Sequence, residues 1–204
     1  MTYIGAHPAR VFGLLAQHVE LVALALVVAF AIALPLGILT ARAARGSSVI
    51  LGTLGAIYTI PSLALLAILV QAVGLGPLPI FIALVAYAQF MLVRNIVAGL
   101  REVDPAIRDA ATGLGMSANQ SLLRVELPLA FPVILGGVRV AAVAMVALAT
   151  LGGYVGAGGL GTLIFTGLAL HHTDQIIAGS LLASALAILI DVVLRTLERA
   201  AIRK

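Results

Sequence analysis

The sequence predicts an all-α integral membrane protein of about five transmembrane helices, and three observations carry that prediction. Hydrophobic residues make up 62% of the chain and charged residues only 10%, with a mean hydropathy of +1.19; a soluble domain carries roughly half apolar and a quarter charged residues. The apolar residues fall in runs of about the length that crosses ~30 Å of hydrocarbon. Nearly every Lys and Arg outside those runs falls on one side of a bilayer once the runs are threaded through it, as the positive-inside tendency requires. The formal net charge of +4 is not gathered on one face, so nucleic acid is excluded as a partner, and the absence of cysteine excludes disulfide and thiolate chemistry.

Taken in order, residues 1–18 are a mixed lead with Pro8 and Arg10, placed on the outer side and carrying little information. No short N-terminal apolar segment with a small-residue cleavage site is seen, so the first span is expected to act as its own insertion signal. That span is 19–41, ending at the basic turn of Arg42 and Arg45. The second, 48–73, holds Tyr58-Thr59-Ile60-Pro61-Ser62 near its middle. Pro61 removes an intrahelical bond there, which predicts a kinked span and a carbonyl freed at Ile57 for Thr59, Ser62, a neighbour or water. An uncharged turn, Gly74 to Pro79, leads to the third span, 79–99, and after a polar interval come the fourth, 130–151, and the fifth, 175–194. With the polar interval inside, Arg42, Arg45, Arg101, Arg108, Arg124, Arg195, Arg199, Arg203 and Lys204 are cytoplasmic and Arg10 is outside. Five spans put the N-terminus out and the basic tail 196–204 in. A full span within 152–170 would force that tail outside, so this Gly-rich stretch reads as a re-entrant or outer-surface segment.

The polar interval, 101–128, predicts two short helices with a sharp break. Asp104 caps the first helix and Pro105 fits its first turn, while Ile107, Ala110, Ala111 and Leu114 form one apolar stripe at i, i+3, i+4 and i+7. Gly115 ends that helix, Ser117 and Gln120 have capping-box spacing, and Pro128 and Pro132 mark the turn into the next span.

Asp109-Ala110-Ala111, three residues, Gly115, nine residues, Val125, one residue and Leu127-Pro128 resemble the EAA loop of ABC importer permeases. In that family the loop docks into a groove on a cytoplasmic ATPase. Asp109 stands for the family's Glu and Val125 for its Ile; a carboxylate and a β-branched apolar group are retained. Thr59-Ile60-Pro61-Ser62-Leu63-Ala64-Leu65-Leu66 and the run Ala149-Thr150-Leu151-Gly152-Gly153 before Gly156-Ala157-Gly158-Gly159-Leu160-Gly161 are similar to permeases for glycine betaine, carnitine and choline. The resemblance covers nearly the whole chain. It implies the ABC importer permease (MetI-like) fold, a coupling elbow at Asp109, Ala110, Ala111, Gly115, Val125, Leu127 and Pro128, and residence in the bacterial cytoplasmic membrane. It also implies a homodimer or a heterodimer with a similar permease, substrate delivered by an extracytoplasmic binding protein, and ATP and Mg held by the partner ATPase. An amino-acid permease of the same architecture, and a channel or secondary carrier, remain as alternatives.

Other constellations have two readings each. The Gly156–Gly161 cluster satisfies G-x-G-x-x-G, but no soluble βαβ unit surrounds it, so Gly156, Gly158, Gly159 and Gly161 read as part of a translocation pathway or gate, with plain close packing at membrane depth as the alternative. Tyr58, Thr59, Pro61 and Ser62 line a pathway or form a packed kink on physical grounds, and the resemblance to the osmoprotectant permeases implies the pathway. Arg94 snorkels at a cytoplasmic end, whereas Arg139 lies deeper and calls for a partner, with Asp191 nearest in depth. His171, His172 and Asp174 lack a further ligand at useful spacing, so no metal is expected. Walker A is absent, so the chain cannot hydrolyse ATP itself. Recognition of a quaternary ammonium calls for aromatic faces; with no Trp, and with Tyr58, Phe81, Tyr87, Phe90, Tyr154 and Phe165 scattered over four segments, the chain reads as a low-affinity passage whose binding protein selects the substrate.

Overall fold

The computed structural model describes residues 2–43 and 46–202; Arg45, Arg203 and Lys204, assigned above to the inner side, lie outside the described residues. The chain runs α1 (Thr2–Ala6), α2 (Pro8–Arg42), α3 (Ser47–Thr59), α4 (Ser62–Val73), α5 (Pro77–Glu102), α6 (Pro105–Gly113), α7 (Ala118–Ser121), a π-helical turn (Leu122–Glu126), α8 (Leu127–Ala149), a 3-10 segment (Thr150–Val155), α9 (Gly161–Ala169) and α10 (Thr173–Ile202). Four stretches, α2, α5, Ala118–Val155 and Thr173–Ala200, are each long and apolar enough to cross a membrane, and the α3–α4 pair, bent by 89°, makes a fifth when taken as one span.

The centre of the bundle is α5. In its most apolar window 56% of residues are buried, against 17% for α10. Helices in lipid gain little from hiding apolar surface from one another and rely on close packing and interhelical hydrogen bonds. α2 meets that demand with a row of small residues, Ala25, Ala29, Ala33 and Gly37, all facing α5. A Cβ on Gly37 would lie 2.6 Å from Ile96 Cγ2, so only glycine admits this approach. On the other side of α5, a Cβ on Gly137 of α8 would lie 2.3 Å from Asn95 Cβ. Gln89 Nε2 also donates to the carbonyl of Ala29 at 3.0 Å, an interhelical bond worth on the order of 0.6 kcal/mol in a membrane.

Tertiary bonds fix the direction of each span. Arg42, at the end of α2, donates to the carbonyl of Ala118, so α2 ends on the elbow side. Gly76, just before α5, donates to the carbonyl of Val155 at 2.8 Å, so α5 starts at the opposite side, beside the end of α8. The α3–α4 pair therefore leaves one side and arrives at the other, crossing once despite its bend. α9, with 9 residues, is about 14 Å long and cannot cross ~30 Å. It packs instead on α10 and on the start of α2, where Val11, Leu160, Leu163 and Ala183 form a second apolar cluster.

Several local expectations need correction. The lead assigned to residues 1–18 is not uninformative: its described residues, 2–18, include α1 and the opening turns of α2, and His18 is fully buried. Residues 196–202 are not a separate tail but the end of α10. Pro128 and Pro132 mark no turn; Pro132 lies inside α8 and Pro128 near its start. The wide π turn just before Pro128, where the Leu127 N–H reaches back to the carbonyl of Leu122, displaces the carbonyl that the Pro128 ring would otherwise strike.

Candidate functional site

The elbow is built from local signals that all agree. Asp104 Oδ1 accepts from Ala106 N at 2.8 Å with Pro105 as the first helical residue. α6 ends in a Schellman arrangement: Gly115, at φ +78°, donates to the carbonyl of Thr112 at 2.9 Å, and Met116 donates to that of Ala111 at 3.1 Å. The A-x3-G spacing is thus the spacing of this cap, with Ala111 and Gly115 at its two ends. Ser117 and Gln120 form the reciprocal capping box that starts α7.

What α6 presents outward is apolar. Ala111 is buried, but Ile107 is 41% and Leu114 80% exposed, and Asp109 and Ala110 face outward with them. Val125 and Leu127 are half-buried in the return and Pro128 is exposed. Two residues that sequence reasoning passed over set the elbow's angle. The Arg108 guanidinium donates to the carbonyl of Leu100 at the end of α5 and lies 3.6 Å from Glu126, whose carboxylate also accepts from Ser121 Oγ at 3.2 Å. Their opposite charges were visible, but their separation along the chain hid the contact.

A second constellation lies at the α3–α4 break. Pro61 does more than kink the span: α3 stops at Thr59, and α4 restarts at Ser62 almost at a right angle. The carbonyl of Ile57 is not left free, because Ile60 N donates to it at 3.2 Å. Thr59 Oγ1 donates to Ala56 instead, and Tyr87 Oη donates to the carbonyl of Ile60 at 2.6 Å, so α5 props the break from below. Tyr58, Ile60, Ser62 and Tyr87 border a cavity of about 530 Å³ whose far wall is α8. The aromatic residues are not scattered: Tyr58 and Tyr87 meet at 82° with centroids 5.9 Å apart, Phe90 stacks on Tyr58 at 5.3 Å, and Tyr154 pairs with Phe165. Tyr58 lies on α3 and Tyr87 and Phe90 on α5, with the whole of α4 between them, which is why spacing alone did not bring them together.

Residues 33–204 match the family described as binding-protein-dependent transport system inner membrane component. The chain is 37% identical over 183 residues to the choline transport system permease protein OpuBB of Bacillus subtilis, covering 90% of this chain and 84% of that one. It is 33% identical to the glycine betaine/carnitine/choline transport system permease protein OpuCB of the same organism, covering 98% and 92%. Among solved structures, an inward-facing MetNI methionine ABC transporter superposes with a TM-score of 0.87 at 19% identity, covering 96% of this chain and 98% of that one. The chain belongs to the binding-protein-dependent transport permeases of the inner membrane. The last likeness establishes the MetI-like fold alone.

In this permease the Gly-rich stretch is a packed turn. Gly156, Gly158 and Gly159 have positive φ, and Gly161 is pressed against α8's end so closely that a Cβ would fall 1.7 Å from the Thr150 carbonyl oxygen. None of the four borders the cavity at Tyr58. The turn is held by α2: Gly159 N donates to Gln17 Oε1 at 3.3 Å, and His18 Nε2 lies 3.1 Å from the Val146 carbonyl. A carbonyl only accepts, so Nε2 carries the hydrogen.

Arg139 and Asp191 do meet, as part of a larger network. Arg139 Nη1 is 2.9 Å from Asp191 Oδ1 and its Nε is 3.0 Å from Glu198 Oε2, while Arg195 holds the other Asp191 oxygen. Glu198 was missed because α10 was expected to end before it. Arg94 is exposed, with its guanidinium 6.0 Å above the Phe90 ring. Among the described residues, no three His, Cys, Asp or Glu side chains gather as a metal site.

Proposed function

We propose that this permease carries a quaternary ammonium osmoprotectant, of the glycine betaine, carnitine, choline or proline betaine kind, inward through a pore it forms with a second copy or a similar chain. A separate cytoplasmic ATPase binds ATP and Mg and docks on the elbow; an extracytoplasmic binding protein delivers the substrate. The observation that carries this reading is the elbow: a capped helix with Ile107 and Leu114 exposed on one side, Asp109 exposed on another, and Arg108 tying it to α5. Exposed apolar side chains on a braced, water-facing helix suit insertion into a partner's groove. Movement of that helix is passed to α5 and α8 through Leu100 and Glu126. The substrate class is supported by the named choline, carnitine and glycine betaine relatives, at 33% to 38% identity. The methionine transporters, at 19% to 22%, support a shared architecture with less weight on the cargo.

The test is co-purification. A tagged chain extracted from its own membrane in mild detergent is expected to bring down an ATPase bearing Walker A and to bind an extracytoplasmic protein loaded with a quaternary ammonium compound. A chain that purifies without an ATPase, and transports regardless of ATP, contradicts the reading and favours a channel or secondary carrier.

A further inference from the structure

We propose that the cavity at the α3–α4 break is a transit site for a trimethylammonium headgroup, held by the rings of Tyr58 and Tyr87 at the carbonyl end of α3. This rests on the osmoprotectant reading and adds where in the membrane the cation is held. The cavity, about 530 Å³, is ample for such a group, and none of the residues bordering it is charged. Its attraction for a cation therefore comes from ring faces and backbone dipoles. Tyr58 and Tyr87 stand nearly perpendicular and both border the space, forming an aromatic corner. Phe90 stacks on Tyr58 without bordering the cavity, which fixes the Tyr58 ring and leaves its remaining surface for a guest. Cation attraction to such faces strengthens when water is excluded.

The broken helix adds to this. α3 ends one residue after Tyr58, so the negative end of its dipole is directed at the break. In membrane transporters, the C-terminal ends of interrupted helices serve cations for this reason. The Ile60 carbonyl at the rim already accepts from Tyr87 Oη. A primary ammonium must donate to acceptors to be held, whereas a methyl-covered cation needs none and can be held by ring faces alone. Ala88, Ala141, Ala144 and Met145 supply small or polarisable apolar contacts for the methyl groups. With no carboxylate in the lining the cation is released as readily as it enters, which suits passage.

The full chain, with its co-purified ATPase and without the binding protein, is placed in lipid nanodiscs and titrated by saturation-transfer NMR with choline, tetramethylammonium and the uncharged isostere of choline in which a tert-butyl group replaces trimethylammonium. Both cations are expected to bind with dissociation constants near about 1 mM, and the neutral isostere about tenfold more weakly. Tyr58→Phe, which keeps the ring, is expected to stay within about threefold of the natural protein, and Tyr58→Leu to lose about tenfold. Equal binding of the neutral isostere, unchanged binding in Tyr58→Leu, or no binding of either cation would overturn the site. Uptake of glycine betaine by the natural complex is read in parallel: uptake without binding at Tyr58 removes this site and leaves the function standing, while absence of both removes the function.

Discussion

Arg139 Nη1 lies 2.9 Å from Asp191 Oδ1, joining α8 to α10 in a partly buried cluster of charges. Each residue by itself is costly there, and each is made tolerable by the other. Arg139→Ala and Asp191→Ala are therefore each expected to lower the melting temperature in detergent. The double variant should lose less than the sum, because removing either partner leaves the other with only its second contact, Arg139 with Glu198 and Asp191 with Arg195. Strict additivity would dismiss the pair. Glu198→Gln should weaken the network less, since Asp191 still holds Arg139 and Arg195.

Gly115 tests the elbow. Its φ of +78° is left-handed, and a Cβ there would meet nothing within 4 Å, so any penalty is one of backbone alone. A β-branched residue in that conformation costs about 1–3 kcal/mol, whereas Asn adopts it more readily. Gly115→Val is expected to cut ATP-driven uptake severely at wild-type abundance, with Gly115→Asn close to normal. Normal uptake in Gly115→Val would detach the cap from coupling.

How much of this was legible depended on how local the signal was. Asp104, Pro105, Gly115, Ser117 and Gln120 act within one turn of themselves, and the structure has every one of those caps where the sequence predicts it. Pro61 announced an interruption, but its size was set by Tyr87 reaching across from α5. The same distance effect hid the Tyr58–Tyr87–Phe90 cluster and the Arg108–Glu126 contact. Pro128 and Pro132 misled in the opposite direction: a π turn precedes Pro128, and α8 continues through Pro132.

Two glycines should respond in opposite ways to the same change. Gly161→Ala would drive a methyl into the Thr150 carbonyl, and overpacking of this kind costs about 1–3 kcal/mol or more. Gly113, at the end of α6, has open space around it, and Gly→Ala in a helix gains about 0.5–1 kcal/mol. Thermal unfolding of the two variants in detergent, compared with the natural chain, is expected to show a clear loss for Gly161→Ala and none for Gly113→Ala. Equal stability of both would contradict the close packing of the Gly-rich turn.

Tyr87→Phe removes the donor to the Ile60 carbonyl while keeping the ring. A lost hydrogen bond of this type costs about 0.5–1.5 kcal/mol. Hydrogen exchange is expected to quicken at the start of α4 in that variant, with little change in α8. Uniform exchange across both helices would show that the break stands without its prop.

The most direct measurement is uptake of radiolabelled glycine betaine into proteoliposomes holding the permease with its ATPase and binding protein. Accumulation is predicted only when ATP, Mg and the binding protein are all present, with competition by choline and carnitine and none by methionine. Accumulation that ignores ATP, or that follows methionine in place of the quaternary ammonium compounds, would contradict the account.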